Sequence, residues 1–145
     1  MKIFLDTNII LDLLLERAGF ETCADIFEIC ESRGYKLSVS VLTMVNVAYV
    51  YKKTVGQNLA VVNLKYLSSL LDVLPMDFDM MQSAIMISGR DFEDTFQAVC
   101  AGEGACDYII TRNPKDFVIK KGLVKTIKIP DVVTPLEFIN RVNTI

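Results

Sequence analysis

The chain alternates short apolar runs with stretches of helical periodicity. The apolar runs predict strands at residues 2–6, 36–39, 73–76, 107–111 and 125–129. Helical spacing of apolar residues, together with the positions of glycine and proline, predicts helices at residues 8–16, 21–33, 41–54, 58–71, 77–88, 91–102 and 134–142. Strands separated by helices usually form a parallel sheet joined by right-handed crossovers. The pattern therefore predicts an α/β fold with a parallel sheet covered on both faces.

The first predicted strand ends at a charge. Residues 3–5 are as apolar as a core strand, yet Asp6, Thr7 and Asn8 follow before the apolar pattern resumes. Ligands of open α/β sheets bind beyond the carboxyl ends of the strands. Asp6 is therefore a candidate catalytic residue. Asp, Thr and Asn also cap helices, but one residue suffices for that, and we expect Asn8 or Thr7 to be the cap.

A second pair of acids opens the predicted helix at residues 91–102. Asp91 and Asp94 are three residues apart, so their side chains can lie on one helix face near the positive end of the dipole. Both can then point at one cation. The alternative is structural, with Asp91 as the N-cap and Asp94 at the third helical position.

Polar residues also follow the strand at residues 107–111. Thr111, Asn113 and Asp116 repeat the arrangement seen after the first strand. The Asn113-Pro114 pair is also a good turn sequence, and Asp116 can equally be an ordinary loop residue.

Composition limits the chemistry that these residues can perform. The chain has 145 residues and no histidine, which excludes Ser-His and Cys-His nucleophile systems. Carboxylates that are held together repel each other, so they take up protons or bind a cation. Oxygen ligands favour Mg²⁺ or Mn²⁺ over zinc. We therefore expect carboxylate chemistry with a metal ion, and four reduced, mostly buried cysteines.

Length and hydrophobicity indicate the class of protein. With 52% hydrophobic residues, the chain can form a single domain over residues 1–145 with a sizeable core. Its apolar stretches are interrupted well short of the ~18 residues that a membrane span requires, and the N-terminus predicts a strand rather than a signal peptide. We expect a cytoplasmic protein that does not insert into membranes.

Three segments resemble the main signatures of the PIN-domain family, in the same order and at similar spacing. They are FLDTNIILDLLLER at residues 4–17, DFEDTFQAVCA at 91–101 and DYIITRNPKDF at 107–117. The resemblance implies a three-layer α/β/α sandwich with a central parallel sheet and an acidic pocket that binds Mg²⁺ or Mn²⁺. It also implies hydrolysis of RNA by a metal-activated water. Small single-domain members are mostly VapC-type toxins, so the resemblance further implies an antitoxin partner.

The resemblance assigns site residues one by one. The family's first acid falls on Asp6, and the acid of its later helix falls on Asp94, with Asp91 beside it. Thr111 matches the family's hydroxyl residue and Asn113 its last polar position, with Asp116 three residues further on. We therefore expect Asp6, Asp91, Asp94 and Asp116 to be catalytic, the first three of them as metal ligands, with support from Asn8, Asn46, Thr111 and Asn113.

Asn46 is a departure from the family. Many PIN proteins carry a glutamate at the corresponding position, whereas an amide brings no negative charge. Its carbonyl oxygen can still contact a metal ion. Alternatively, Asn46 is a buried polar residue that is hydrogen-bonded to nearby backbone.

Net charge argues mildly against a nucleic-acid partner, because 18 acidic residues outnumber 15 basic ones. Basic residues nevertheless occur beside the segments that should surround the pocket, and Tyr49 or Tyr51 is a candidate for stacking on a base. The excess of hydrophobic residues also favours a homodimer. The predicted RNA-binding residues are Arg17, Lys52, Lys53, Arg112 and Lys115.

Two other functions compete with the ribonuclease. The neutral Asn46 and Asn113 favour an acid-depleted PIN-like domain that binds RNA or a protein without cleaving. A phosphatase of the HAD type also begins with a strand ending in Asp, but it carries a second Asp two residues later. Asn8 occupies that position here and argues against it.

Overall fold

The computed structural model describes residues 1–87, 89–117, 119 and 127–145. Within these residues the chain forms a five-stranded sheet in which every neighbouring pair of strands is parallel. The order across the sheet is β3-β2-β1-β4-β5. The strands are β1 (Lys2–Leu5), β2 (Lys36–Ser40), β3 (Asp72–Leu74), β4 (Tyr108–Ile110) and β5 (Asp131–Val133).

Helices connect the strands and cover the sheet. The described residues form α1 (Thr7–Leu14), α2 (Phe20–Ser32), α3 (Val41–Val55), α4 (Gln57–Leu70), α5 (Phe78–Ile87), α6 (Phe92–Glu103) and α7 (Pro135–Asn143), with a short 3₁₀ helix at Pro114–Phe117. Each lies within two residues of a predicted helix, apart from the 3₁₀ helix, which was not predicted.

Strand β1 is central and buried on both faces, which explains its uninterrupted apolar sequence. Successive side chains of a strand point to opposite faces. Ile3 and Leu5 accordingly belong to a core cluster with residues of α1, α2, α3, α4 and α7. Phe4 belongs to a second cluster with residues of α6 and the 3₁₀ helix. The predicted three-layer α/β/α fold with a central parallel sheet is therefore confirmed.

The edge strand was predicted in the wrong place. Residues 125 and 126 of the predicted strand at 125–129 lie outside the described residues, and residues 127–129 are not a strand. Strand β5 pairs with β4 instead, with Ile109 opposite Val132. Strand β5 has three residues, too few for a period-2 pattern to be recognised, whereas KTIKI alternates polar and apolar residues over its last four positions and so resembles a strand more closely.

Two further expectations concern the surface and the thiols. No helix within the described ranges is long and apolar enough to cross a membrane. All four cysteines are buried free thiols, as expected.

Candidate active site

Asp6 lies at the carboxyl end of β1 and is only 6% exposed. It is the N-cap of α1, because one carboxylate oxygen accepts the Thr7 backbone N–H at 2.7 Å. The other oxygen accepts the Thr111 hydroxyl at 2.9 Å. Burial raises the pKa of Asp6, while these two hydrogen bonds oppose the rise. The expectation that Asn8 or Thr7 caps α1 was wrong, since Asp6 is the cap and also lies at the strand end.

Helix α6 begins with the second acidic pair. Asp91 is exposed and caps the helix, because its Oδ1 accepts the Asp94 N–H at 2.9 Å. The capping interpretation of Asp91 is thus confirmed. Asp94, at the third helical position, is half-buried.

Negative charge accumulates around Asp94. Its pKa is raised to about 7, first by burial and then by the charges of four other carboxylates. These belong to Asp6, Asp91, Glu93 and Asp116. The structure thus brings Asp6, Asp91 and Asp116 close enough to Asp94 for their charges to act on it, and it adds Glu93. We call these five residues the acidic cluster.

The remaining predicted residues near the cluster differ in their contacts. Thr111 is fully buried, and its hydroxyl oxygen accepts the Asn113 N–H at 3.2 Å. The side chain of Asn113 is exposed, whereas Asn8 and Asp116 are half-buried. Asp116 lies on the 3₁₀ helix, and its charge contributes to the raised pKa of Asp94. Asp116 is therefore within electrostatic reach of Asp94.

Asn46 uses its amide as a donor. It lies on α3, and its Nδ2 donates to Oε1 of Glu93 at 2.9 Å. Its partner is therefore a side-chain carboxylate of α6, and not nearby backbone as one expectation had it. Sequence reasoning missed Glu93, although its place between Asp91 and Asp94 was a signal.

A buried polar network lies next to the acidic cluster. Gln97 of α6 donates to Thr43 Oγ1 at 3.0 Å and accepts the Ser40 hydroxyl. Thr43 in turn shares a hydrogen bond of 3.0 Å with Thr7, the neighbour of Asp6. All four residues are buried. The network links the carboxyl ends of β1 and β2 to α6, so it fixes the position of Asp94 relative to Asp6.

A buried acid that the sequence analysis also missed lies on α1. Asp12 is 0% exposed, and Arg112 Nε lies 3.2 Å from its Oδ2. Arg17 Nη1 lies 4.0 Å from its Oδ1. The charge of Arg112 also lowers the pKa of Asp6. Asp12 thus holds Arg112 beside the acidic cluster, at the wall of a cavity of about 260 Å³.

The other predicted RNA contacts lie further along the surface. Lys115 is exposed, as are Lys52 and Lys53, whose amino groups lie 5.4 and 4.1 Å from the centre of the Tyr49 ring. Tyr51 is only 7% exposed, and its hydroxyl accepts a hydrogen bond from Asn63. Tyr51 is therefore not available for stacking on a base, which leaves the exposed Tyr49 as the candidate of the two.

The donor set fits a hard divalent cation in its chemistry. Among the residues that the structure describes, no three acidic or cysteine side chains lie close enough together to chelate an ion by themselves. Mg²⁺ does not require such a group, since it usually keeps several waters and binds one or two carboxylates together with substrate phosphates. The acidic cluster offers oxygen ligands and an excess of negative charge, which is what such an ion needs.

A larger cavity of about 710 Å³ lies elsewhere. Its lining includes Lys36 and Asp72, which begin β2 and β3. It is therefore at the amino ends of these strands, whereas the acidic cluster lies at the carboxyl ends. Because α/β sheets bind their ligands at the carboxyl ends, chemistry and not cavity size identifies the candidate site.

Comparison with known proteins agrees with this arrangement. A family model described as PIN domain matches residues 2–115. No curated protein is significantly similar in sequence. Among solved structures, VapBC2 from Rickettsia felis, bound to a DNA fragment from its promoter, is 15% identical with a TM-score of 0.67, covering 92% of this chain and 98% of that one.

Two further solved structures are similar in fold. DNA-bound VapBC from Salmonella typhimurium is 18% identical with a TM-score of 0.68, and the match covers 93% of this chain and 98% of that one. VapC20 from Mycobacterium tuberculosis, described as a toxin that cleaves the sarcin-ricin loop, is 16% identical with a TM-score of 0.58, covering 74% and 86% of the two chains. At these identities the likeness concerns the fold.

Proposed function

Because this chain belongs to the PIN-domain family, we propose that it is a ribonuclease that hydrolyses phosphodiester bonds of RNA with Mg²⁺ or Mn²⁺. The observation that carries the proposal is the gathering of acids at the carboxyl end of β1, where hydrogen bonds through Thr7, Thr43 and Gln97 hold α6 beside Asp6. Burial and four neighbouring carboxylates there raise the pKa of Asp94 to about 7. Carboxylates that are held together despite burial and mutual repulsion usually indicate a functional site.

Asp6, Asp91 and Asp94 are the residues that we expect to hold the cation, one or two of them directly and the rest through the waters that such an ion keeps. A bound Mg²⁺ or Mn²⁺ supplies an activated water and neutralises charge on the scissile phosphate. The hydrogen bonds from Thr7 and Thr111 fix both oxygens of Asp6. Each oxygen retains a lone pair for a cation. Asp94 releases its proton when a cation binds, because the ion stabilises the charged carboxylate.

Basic side chains support RNA as the substrate. Arg112 is 44% exposed while Asp12 holds its guanidinium, so it can contact a phosphate beside Asp6. Lys115 is exposed three residues further along the chain. Lys52, Lys53 and Tyr49 form an exposed cationic patch at the end of α3, where backbone phosphates can bind.

The similar structures support a protein partner. Those from Rickettsia felis and Salmonella typhimurium are VapBC complexes, and one from Klebsiella pneumoniae is a toxin-antitoxin complex. This chain also exposes large apolar side chains on α3 and α4, among them Val45, Val62 and Tyr66. We propose an antitoxin partner and a homodimer, in which these side chains are covered.

A domain that binds RNA without cleaving is the second candidate. The neutral side chain of Asn46 favours it, because a glutamate there would add another charge. The position of Asp116 bears on this candidate, because an Asp116 side chain that points to solvent would leave fewer acids in the pocket. Its effect on Asp94 instead supports the nuclease.

Incubation of the purified protein with pooled RNAs tests the proposal. One reaction contains Mn²⁺ or Mg²⁺, a second contains EDTA, and a third contains single-stranded DNA of the same sequences with metal. We expect RNA to be cut only where metal is present. Binding of RNA without any cutting, in either metal, would favour the second candidate.

A further inference from the structure

Glu93 is tied to the acidic cluster from a different element. It is the second residue of α6, and Asn46 of α3 donates to its Oε1 at 2.9 Å. The two residues are 47 positions apart in the sequence. An acid in the first turn of a helix needs no such partner, because the helix dipole already favours it there.

Hydrogen bonds place Glu93 on the side of α6 that faces the site. Glu93 and Gln97 are four residues apart on α6, and their partners Asn46 and Thr43 are three residues apart on α3, so both bonds join the same two helix faces. Thr43 also bonds to Thr7, the neighbour of Asp6. The Glu93 carboxylate therefore lies on the same side as two like charges, those of Asp6 and Asp94.

An exposed glutamate with free rotamers would turn towards water and away from such charges. The ion pairs formed within the described residues involve Lys2, Arg17, Arg112 and Arg141, and none of them reaches Glu93. The amide of Asn46 therefore keeps the carboxylate on the side of the cluster.

We propose that Glu93 adds its negative charge to the cation site of the proposed ribonuclease and that Asn46 is its positioning residue. The inference rests on the proposed function, since it requires a cation to bind at the acidic cluster. It gives Asn46 a role as hydrogen-bond donor to an acid rather than as a metal ligand. Mutation of a residue that orients a group of a metal site typically lowers metal affinity or activity by roughly 10–100-fold.

Mn²⁺ titration of the purified protein without RNA, followed by calorimetry, tests this inference. We expect Glu93→Gln to weaken Mn²⁺ binding about tenfold. Glu103→Gln is the matched control, because Glu103 is an exposed glutamate at the other end of the same helix. Its Mn²⁺ affinity should equal that of the wild type.

A double-mutant cycle separates positioning from a merely structural effect. Asn46→Ala should weaken Mn²⁺ binding in the wild type and add little in the Glu93→Gln background, because the two residues act as a unit. Additive losses would overturn the role of Asn46. Circular dichroism and melting curves of each variant verify that it is folded.

The Asp6→Asn variant distinguishes a failure of the role of Glu93 from a failure of the proposed cation site. If Asp6→Asn abolishes Mn²⁺ binding while Glu93→Gln binds as the wild type does, the role of Glu93 is wrong and the cation site stands. If the wild type itself takes up no Mn²⁺, the proposed function fails, and the inference fails with it.

Discussion

The carboxyl group of Asp94 is subject to two opposed electrostatic effects. Burial and four neighbouring carboxylates favour its protonated form, although a carboxylate in the first turn of a helix is normally stabilised by the dipole. The pKa of about 7 in the folded protein exceeds the ordinary aspartate pKa of 3.8. The stabilising effect of the bound proton is therefore complete below about pH 4 and is lost as the pH rises through 7.

Asp94→Asn should consequently stabilise the protein in EDTA. The difference in melting temperature between variant and wild type should grow from pH 4 to pH 7 and level off above it, because the variant carries no charge to repel. Thermal unfolding across this range measures it. Asp25→Asn, at an exposed position of α2, is the control. A wild type that is more stable than Asp94→Asn at pH 8 would contradict the account.

Asp12 and Arg112 give a second prediction at this scale. Arg112→Ala leaves the fully buried Asp12 without its closer cation, which typically destabilises a protein by about 3 kcal/mol. Asp12→Asn in the same chain should restore part of the loss, because it removes the buried charge. Urea unfolding of both variants checks this. If the double variant is less stable than Arg112→Ala, Asp12 does not act through its charge.

Some residues of the site could be predicted from the sequence and others could not. Asp6, Asp94 and Thr111 were recognisable because a polar residue at a strand end or helix start interrupts an apolar pattern. Asp12 interrupts the apolar run of α1 in the same way but was not selected. Glu93 and Gln97 owe their importance to contacts with α3 and β2, and no local pattern encodes contacts between distant segments.

At the scale of elements, the site depends on how α6 is fixed against the sheet. Gln97 joins α6 to Ser40 at the end of β2 and to Thr43 at the start of α3. The seven helices and four of the five strands in the described part of the chain followed from apolar periodicity. Strand β5 did not, since only its register with β4 defines it.

Gln97→Leu should destabilise the fold by about 2 kcal/mol, because it leaves buried hydroxyls without their partner. Gln57→Leu, at an exposed position that begins α4, should change stability by less than about 0.5 kcal/mol. Urea denaturation of both variants makes the comparison. Equal stabilities would show that the network around Gln97 does not hold α6 in place.

In the molecule as a whole, the acidic cluster and the larger cavity lie at opposite ends of the strands. The acidic cluster lies at the carboxyl ends of the strands, and the 710 Å³ cavity lies at the amino ends of β2 and β3. The net charge of −3 does not attract RNA from a distance. Binding must therefore depend on local cations such as Arg112 and on the neutralisation of the acidic cluster by a metal ion.

We propose that the acidic cluster is the cation site of a ribonuclease. Cleavage of one susceptible RNA in Mn²⁺ by wild type, Asp6→Asn, Asp94→Asn and the control Asp25→Asn tests it most directly. Because residues that merely support metal ligands are worth roughly 10–100-fold, we expect cleavage by the first two variants, which lack a ligand, to fall by about a hundredfold or more. Asp25→Asn should cleave at the wild-type rate, with all four proteins folded. Undiminished cleavage by both Asp6→Asn and Asp94→Asn would contradict it.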